Sequence, residues 1–199
     1  MIYSWGNGKY GCLGNSNLES NFIPKQIFHD IEKNIFKNIK FIGAGMYYSV
    51  AVDDKYIYTW GCGNSGRLGH GNEYSLNFPK KIKYFEDLDL SIKFFSCGDT
   101  HIIAIDNDDR CFSWGSGTYG KLGHGNCLDY NLPKKIDSLR NSKIDLLACG
   151  SNDSIVVTSD IKIFVFGKNT GGFLGTSLPP DKNIIIPTDK KENYYGDLS

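Results

Sequence analysis

The run Trp60-Gly61-Cys62-Gly63-Asn64-Ser65-Gly66-Arg67-Leu68-Gly69-His70-Gly71-Asn72 returns, little altered, as Trp114-Gly115-Ser116-Gly117-Thr118-Tyr119-Gly120-Lys121-Leu122-Gly123-His124-Gly125-Asn126. Each copy follows a short apolar segment. Four such segments line up: Ile2 to Gly6, Ile57 to Gly61, Cys111 to Gly115 and Ile163 to Gly167. Their last aromatics, Trp5, Trp60, Trp114 and Phe166, are spaced by 55, 54 and 52 residues. A Leu-Gly pair follows each, ending at Gly14, Gly69, Gly123 and Gly175, and then a proline, at Pro24, Pro79, Pro133 and Pro187. The first three units continue into runs closed by Gly45, Gly98 and Gly150. A second apolar run comes next, such as Ser49 to Val52 or Ile102 to Ile105. This many anchors in one register define a tandem repeat of about 54 residues. The units read as 2–56, 57–110, 111–162 and a partial 163–187, with 188–199 expected to be a disordered polar tail.

The apolar runs are four to seven residues long and rich in Ile, Val, Tyr and Phe, which predicts strands. No stretch carries a sustained helical period; residues 30–42 come nearest, and the repeat register places their later part in a strand. Asp53-Asp54-Lys55 and Asn107-Asp108-Asp109 supply the turns that link one unit to the next. Side chains alternate faces along a strand. Tyr3 and Trp5, Tyr58 and Trp60, Phe112 and Trp114, and Phe164 and Phe166 therefore share one face. Ile2 and Ser4, Ile57 and Thr59, and Cys111 and Ser113 share the other. Burying one such ring contributes on the order of 1.5–3 kcal/mol, which a lone unit forfeits. The expected solution is an all-β β-propeller of about three and a half four-stranded antiparallel blades, each pressing its aromatic face onto a neighbour's small face.

The pattern W-G-x-x-x-x-G-x-L-G, then Pro-Lys, then Gly-x-x-His, resembles the regulator of chromosome condensation repeat. Trp60-Gly61, Gly66, Leu68 to Gly71, Pro79-Lys80 and Gly98 to His101 carry the resemblance, and it runs to about Pro187. It implies a seven-bladed propeller in a family that includes an exchange factor for the nuclear GTPase Ran and many adaptor or regulatory domains. Seven units need roughly 380 residues, about twice this length. The expectation is therefore that the natural product is longer, that two copies associate, or that the chain is a truncated piece.

Equal numbers of basic and acidic side chains, 22 each, disfavour nucleic acid as the main partner. No apolar run approaches the roughly eighteen residues of a membrane span. The start, Met1 to Gly6, lacks the basic and apolar regions of a secretory signal, so an intracellular setting, cytoplasmic or nuclear, with reduced cysteines is expected. Three segments match G-x-G-x-x-G, at Gly6, Gly61 and Gly115, but each runs into Leu-Gly and Pro where a dinucleotide site needs a helix. Gly115 to Lys121 mimics a phosphate-binding loop, with Leu122 in place of the Mg²⁺-holding Ser or Thr. No C-x-x-C occurs. Neither a cofactor nor a metal is expected. Cys97 and Cys149, sharing a column with Ala44, read as small buried positions, and Cys12, sharing its column with Arg67 and Lys121, as exposed.

The residues singled out as partner-binding candidates are Asp99, His101, His70, His124, Lys80, Lys81, Lys134 and Lys135. His70 and His124 sit in duplicated G-H-G-N loops, where repeat one has Asn15 and repeat four Thr176; holding the turn by hydrogen bonds is the competing reading. Asp99 and His101 fall where the family propeller has residues on one rim, with a hydrogen-bonded structural role as the competing reading; Tyr48 and Asp153 share the His101 column. The lysines, with Lys25, would form a basic row on adjacent blades, or simply guard outer strands against edge pairing. Among these and His29 no nucleophile, base and orienting partner can be assembled.

The leading functional reading is a non-enzymatic module that binds a protein partner, because loops after Gly14, Gly71 and Gly125 differ strongly on a shared frame. The alternative is a guanine-nucleotide exchange factor for a small Ran-like GTPase, implied by the resemblance alone. Self-association is a further expectation if the ring is incomplete. A light-sensing role, which the resemblance also brings in, requires tryptophans where this chain has Met46, Tyr47, Asp99 and Thr100.

Overall fold

A computed structural model describes residues 1–27, 36, 38–176 and 183–189. His29 and most of the helix-like stretch considered above lie outside the described residues. The architecture is a fan of antiparallel sheets. The first is a half-blade, β1 (Tyr3–Gly6) paired with β2 (Asn21–Gln26). The second blade runs β3 (Phe41–Gly45), β4 (Tyr48–Val52), β5 (Ile57–Gly61) and β6 (Leu76–Lys81), in that spatial order. The third is β7 (Ile92–Cys97), β8 (His101–Asp106), β9 (Cys111–Gly115) and β10 (Tyr130–Lys135); the fourth is β11 (Ile144–Cys149), β12 (Asp153–Thr158), β13 (Ile163–Gly167) and β14 (Ile184–Asp189). This is the expected all-β architecture of three and a half blades.

Each complete blade takes its two inner strands from the end of one sequence unit and its two outer strands from the start of the next. The join is the turn after β4 or β8, where the leading aspartate folds back on its own backbone. Asp53 Oδ1 accepts from the Lys55 and Tyr56 N–H groups at 2.9 and 2.7 Å, and Asp106 Oδ1 accepts from the Asp108 and Arg110 N–H groups at 3.0 and 2.9 Å. The repeated prolines fall on the outermost strands β2, β6, β10 and β14, the places in a sheet where a missing N–H costs no ladder bond. Inner strands β3, β7 and β11 pack side by side along the axis. Because neighbouring strands alternate in direction, the inner turns after β3, β7 and β11 emerge at the same end as the long loops after β1, β5, β9 and β13.

The core consists of the interfaces between blades. Phe112 and Trp114 of the third blade are buried with Val50, Val52, Ile57, Leu68 and Ile82 of the second. Phe166 and Val156 of the fourth are buried with Ile103, Ile105 and Cys111 of the third. The aromatic face therefore meets the small face, as the alternation predicts. Closing that contact requires glycine: a Cβ on Gly69 would come 2.8 Å from Trp114 Nε1, and one on Gly14 would come 2.6 Å from Trp60 Nε1. Two wedges were not foreseen. The one-turn helix α1 (Lys83–Asp87) drives Phe85 between the second and third blades, with its ring 5.4 Å from Phe112 and 5.8 Å from Trp114. The turn Asp137–Leu139 buries Leu139 in the same position one blade on.

The G-x-G-x-x-G loops enter single 3₁₀ turns of three residues, such as Asn64–Gly66 and Thr118–Gly120, with no helix behind them. Among the described residues no His, Cys, Asp or Glu cluster suited to a metal is found, and no helix is long and apolar enough to cross a membrane.

Two sequence expectations are corrected. The Cys12 column is not a surface column: Cys12 is half-buried, Arg67 is buried, and Lys121 is only 2% exposed. The long side chains lie over the neighbouring inner turn, Arg67 donating from Nη1 to the Met46 carbonyl at 3.0 Å and Lys121 from Nζ to Asn152 Oδ1 at 3.2 Å. Of the inner-strand column, Ala44 is exposed, while Cys97 and Cys149 are half-buried and pack against the cores between blades.

Candidate functional site

One motif repeats around the end of the fan that carries the long loops. In the second blade, Thr59 Oγ1 donates to the Leu68 carbonyl at 2.6 Å and lies 3.0 Å from His70 Nε2. The hydroxyl has one proton and has spent it on the carbonyl, so His70 must carry hydrogen on Nε2 and donate it. The third blade repeats the relay, with Ser113 Oγ donating to the Leu122 carbonyl at 2.7 Å and His124 Nε2 lying 2.9 Å from that hydroxyl. Repeat one keeps half of it: Ser4 Oγ donates to the Leu13 carbonyl at 2.7 Å, and Asn15 takes the place of the histidine. In repeat four Val165 replaces the hydroxyl, and the buried Thr176 hydroxyl that replaces the histidine has no hydrogen-bond partner among the described residues.

A serine beside a histidine suggests a nucleophile and its base. Here the direction of the bond is reversed, since the imidazole donates and the hydroxyl proton points at the backbone. Burial favours the uncharged ring and lowers the pKa of both His70 and His124 to about 4. These histidines fasten the loop to the strand. Replacing Ser113 with alanine is expected to cost about 1–3 kcal/mol by stranding the Leu122 carbonyl and the His124 N–H, measured by urea denaturation.

His101 is fully buried, which removes it from any surface a partner could touch. Ser154 of the next blade donates to the Lys121 carbonyl at 2.8 Å, so His101 Nε2, 2.9 Å from Ser154 Oγ, is again the donor. Burial lowers its pKa to about 3. Tyr48 holds the same column one blade earlier and donates towards the Gly98 and His101 carbonyls, both at 2.8 Å. The column therefore ties neighbouring blades together near the axis. Asp99 is exposed on the inner turn, where Oδ2 accepts from Ser151 Oγ at 2.5 Å.

The lysines occupy one register on the outermost strands: Ser4 faces Lys25, Thr59 faces Lys80 and Ser113 faces Lys134. They do not form one free basic row. Lys81 Nζ sits 3.7 Å from the Tyr56 ring centroid and 3.5 Å from Glu86. Lys134 Nζ donates to the Tyr130 hydroxyl at 2.7 Å, which lowers that phenol's pKa. Lys80 is exposed and Lys135 half-buried.

The sequence pointed to these divergent loops but not to the side chains that pin their tips. Asn17, Asn72 and Asn126 each accept from the N–H two residues ahead, at Glu19, Tyr74 and Leu128, at 3.0, 3.0 and 2.9 Å. Ser20, Ser75 and Asp129 then accept from the N–H of Gly8, Gly63 and Gly117 across the loop at 3.2, 3.1 and 2.8 Å. Both ends of each tip are pinned identically while the tip itself changes: Leu18-Glu19, Glu73-Tyr74 and Cys127-Leu128. Leu18, Tyr74 and Leu128 stand mostly exposed. Beside the first tip a groove of about 830 Å³ runs between the half-blade and β6, lined by residues including Lys9, Tyr10, Leu18, Leu76 and Phe78. The recurrence of N-x-x-S or N-x-x-D after the first three Leu-Gly pairs was the available signal.

Comparison with known proteins agrees with this geometry. The family profile described as the regulator of chromosome condensation repeat matches residues 1–52, 54–105 and 108–157. The human E3 ubiquitin-protein ligase HERC2 is 34% identical over 175 residues, 87% of this chain and 4% of that protein. The ultraviolet-B receptor UVR8 of Arabidopsis thaliana is 32% identical over 186 residues, 92% of this chain and 41% of that one. Among solved structures, yeast RCC1 (Prp20), bound to Kap60, superposes with a TM-score of 0.78 at 20% identity, covering 96% of this chain and 44% of that one. Human WBSCR16 gives a TM-score of 0.76 at 20% identity, covering 94% and 46%. The chain thus spans less than half the length of these relatives. With the profile repeated three times over blades of the matching fold, it belongs to the regulator of chromosome condensation repeat family.

Proposed function

We propose that this chain is a non-enzymatic protein-binding module that holds its partner on the long-loop end of the fan. The observation that supports this most is the contrast between frame and tip: identical side-chain pins hold three adjacent loops whose exposed residues differ. A tip held in place before contact loses little entropy on binding, and exposed Leu18, Tyr74 and Leu128 offer apolar anchors on adjacent blades. The imidazole relays support the non-enzymatic reading, since each spends its Nε2 proton on structure.

The test is recovery of a specific partner by the intact chain at near-stoichiometric yield, compared with a Leu18→Asp, Tyr74→Asp, Leu128→Asp variant. These side chains are exposed, so each change is expected to alter stability by no more than about 0.5 kcal/mol, while binding falls at least about tenfold, or ~1.4 kcal/mol. Absence of a partner, or equal recovery by the variant, refutes the loop-tip surface. Nucleotide exchange on a small Ran-like GTPase is the alternative suggested by the family. It predicts accelerated nucleotide release that Asp99→Ala reduces; His101 is unsuitable for that test because it is buried between blades.

A further inference from the structure

The chain is neutral overall, with 22 basic and 22 acidic side chains, but its charges are sorted by position. Among the described residues all seven ion pairs lie at the end opposite the long loops, on the turns and connections there. Lys40 with Asp54, Lys93 with Asp109 and Lys162 with Asp160 are examples, at 3.0, 2.8 and 3.0 Å. The long-loop end is arranged differently. Its three tips diverge in sequence yet keep one combination, an exposed large apolar side chain with a carboxylate as its chain neighbour: Leu18-Glu19, Glu73-Tyr74 and Leu128-Asp129. Glu19, Glu73 and Asp129 are all exposed, and none belongs to an ion pair among the described residues. Asp129 Oδ1 accepts from the Gly117 N–H at 2.8 Å, which holds the group in place without neutralising it.

The basic side chains of this end are drawn in towards the inner turns. Arg67 and Lys121 are buried, their charged ends spent on the Met46 carbonyl and on Asn152, and Lys121 feels the Asp129 and Asp99 charges only from a distance. Lys9 lies over the Tyr10 and Tyr47 rings, 5.0 and 5.2 Å from their centroids. Lys168, whose N–H donates to the Asn152 carbonyl of an inner turn, lies 5.1 Å from the Tyr119 centroid. Cations therefore sit inside, and the outer tips set an apolar anchor beside an uncompensated anion on three adjacent blades.

This adjacency constrains what can dock. A partner that covers Leu18, Tyr74 and Leu128 also takes water from the neighbouring carboxylates, and only a cation on the partner offsets that loss. We propose, building on the loop-tip reading above, that the partner docks through a basic amphipathic segment. Its apolar side chains seat on Leu18, Tyr74 and Leu128, and lysines or arginines beside them pair with Glu19, Glu73 and Asp129. Phosphate-rich surfaces, whether nucleic acid or anionic lipid, meet three charges of their own sign at the tips and are turned away.

Fluorescence anisotropy with the full chain and two labelled peptides tests this. Both peptides carry the same leucines and tyrosines on one face; one has lysines between them and the other glutamates. The lysine peptide is expected to bind at least about tenfold more tightly at low salt, with the difference shrinking at about 0.5 M salt, where screening cuts the reach of a charge to a few ångströms. Glu19→Gln, Glu73→Gln and Asp129→Asn together remove the charges, while asparagine keeps an acceptor for Gly117, and are expected to abolish the preference. Leu18→Ser, Tyr74→Ser and Leu128→Ser together are expected to weaken the lysine peptide at least about tenfold with the carboxylates still in place. Equal affinity for the two peptides, a preference that survives neutralisation, or tight binding without the apolar anchors overturns the proposal. The partner recovered by the intact chain separates this proposal from the reading it rests on. Recovery lost in the Leu18→Asp, Tyr74→Asp, Leu128→Asp variant but kept in the neutralised one overturns the basic segment and leaves the loop-tip surface standing. Recovery kept in both overturns the two together.

Discussion

Replacing Trp114 with alanine is expected to destabilise the chain by about 3–5 kcal/mol, whereas the same change at Trp5 leaves the stability of the dilute monomer within about 0.5 kcal/mol. The two residues hold the same place in the repeat, yet Trp114 is 0% exposed and Trp5 stands on the open edge. Trp114 packs against Phe85 and over Gly69, in the cluster that joins the second and third blades, and small neighbours on rigid strands cannot collapse into the space it leaves. Its indole N–H lacks a hydrogen-bond partner among the described residues, whereas Trp60 Nε1 donates to the Cys12 carbonyl at 3.0 Å. Trp114→Phe is therefore expected to be mild, about 1.5 kcal/mol or less, since the fourth blade already places Phe166 on Gly123. Urea midpoints of the three variants decide this. Equal losses at Trp5 and Trp114 would mean that the interfaces between blades do not carry the stability.

Those interfaces were legible in the sequence because a strand's alternation is local and survives translation into space. Tyr58, Trp60, Phe112 and Trp114 had to share faces once the strands were placed, and a face of rings has to meet something small. What lies across strands was harder to read. Alternation assigns a side chain to a face but does not say whether a neighbour covers it, so Ala44 looked like a packed position and is exposed, while Cys97 and Cys149 of the same column do pack against the cores between blades. Length misled in the other direction, because Lys121 and Arg67 have charged ends that reach a neighbouring inner turn while their stems are covered. Phe85 lies in a connection where five residues of helix leave no periodicity to detect. Of the candidate site, the G-H-G-N loops pointed to His70 and His124, but their partners, Thr59 and Ser113, became visible only when β5 and β9 stood beside the loop. For His101 the motif left a rim contact and a hydrogen-bonded structural role open, and the adjacent blade, which covers it and bonds it through Ser154, gives it the second.

The relays have a consequence for acid stability, because a buried imidazole that donates and stays neutral resists protonation only while the chain is folded. His70 and His124 have folded pKa values of about 4 and His101 of about 3, below the ordinary 6.5, because burial disfavours the charged ring in each case. The unfolded chain therefore takes up protons as pH falls through 6.5 while the folded chain does not, so stability is complete above 6.5, declines below it and levels off only beneath the folded values. At pH 5 this amounts to about 2 kcal/mol for fully buried His101 and less for half-exposed His70 and His124, about 4 kcal/mol together against the 5–15 kcal/mol typical of a folded domain. The carboxylates with lowered pKa, Asp54 and Asp160, lose their contribution only below 3.8, so the interval from 4 to 6.5 belongs to the imidazoles. Urea denaturation at pH 7 and pH 5 measures the loss. The double variant His70→Asn, His124→Asn assigns it, since asparagine already serves that loop position at Asn15. The variant is expected to keep only the His101 part of the loss, and a decline as steep as the wild type's would show that protonation of these two loops is not what limits acid stability.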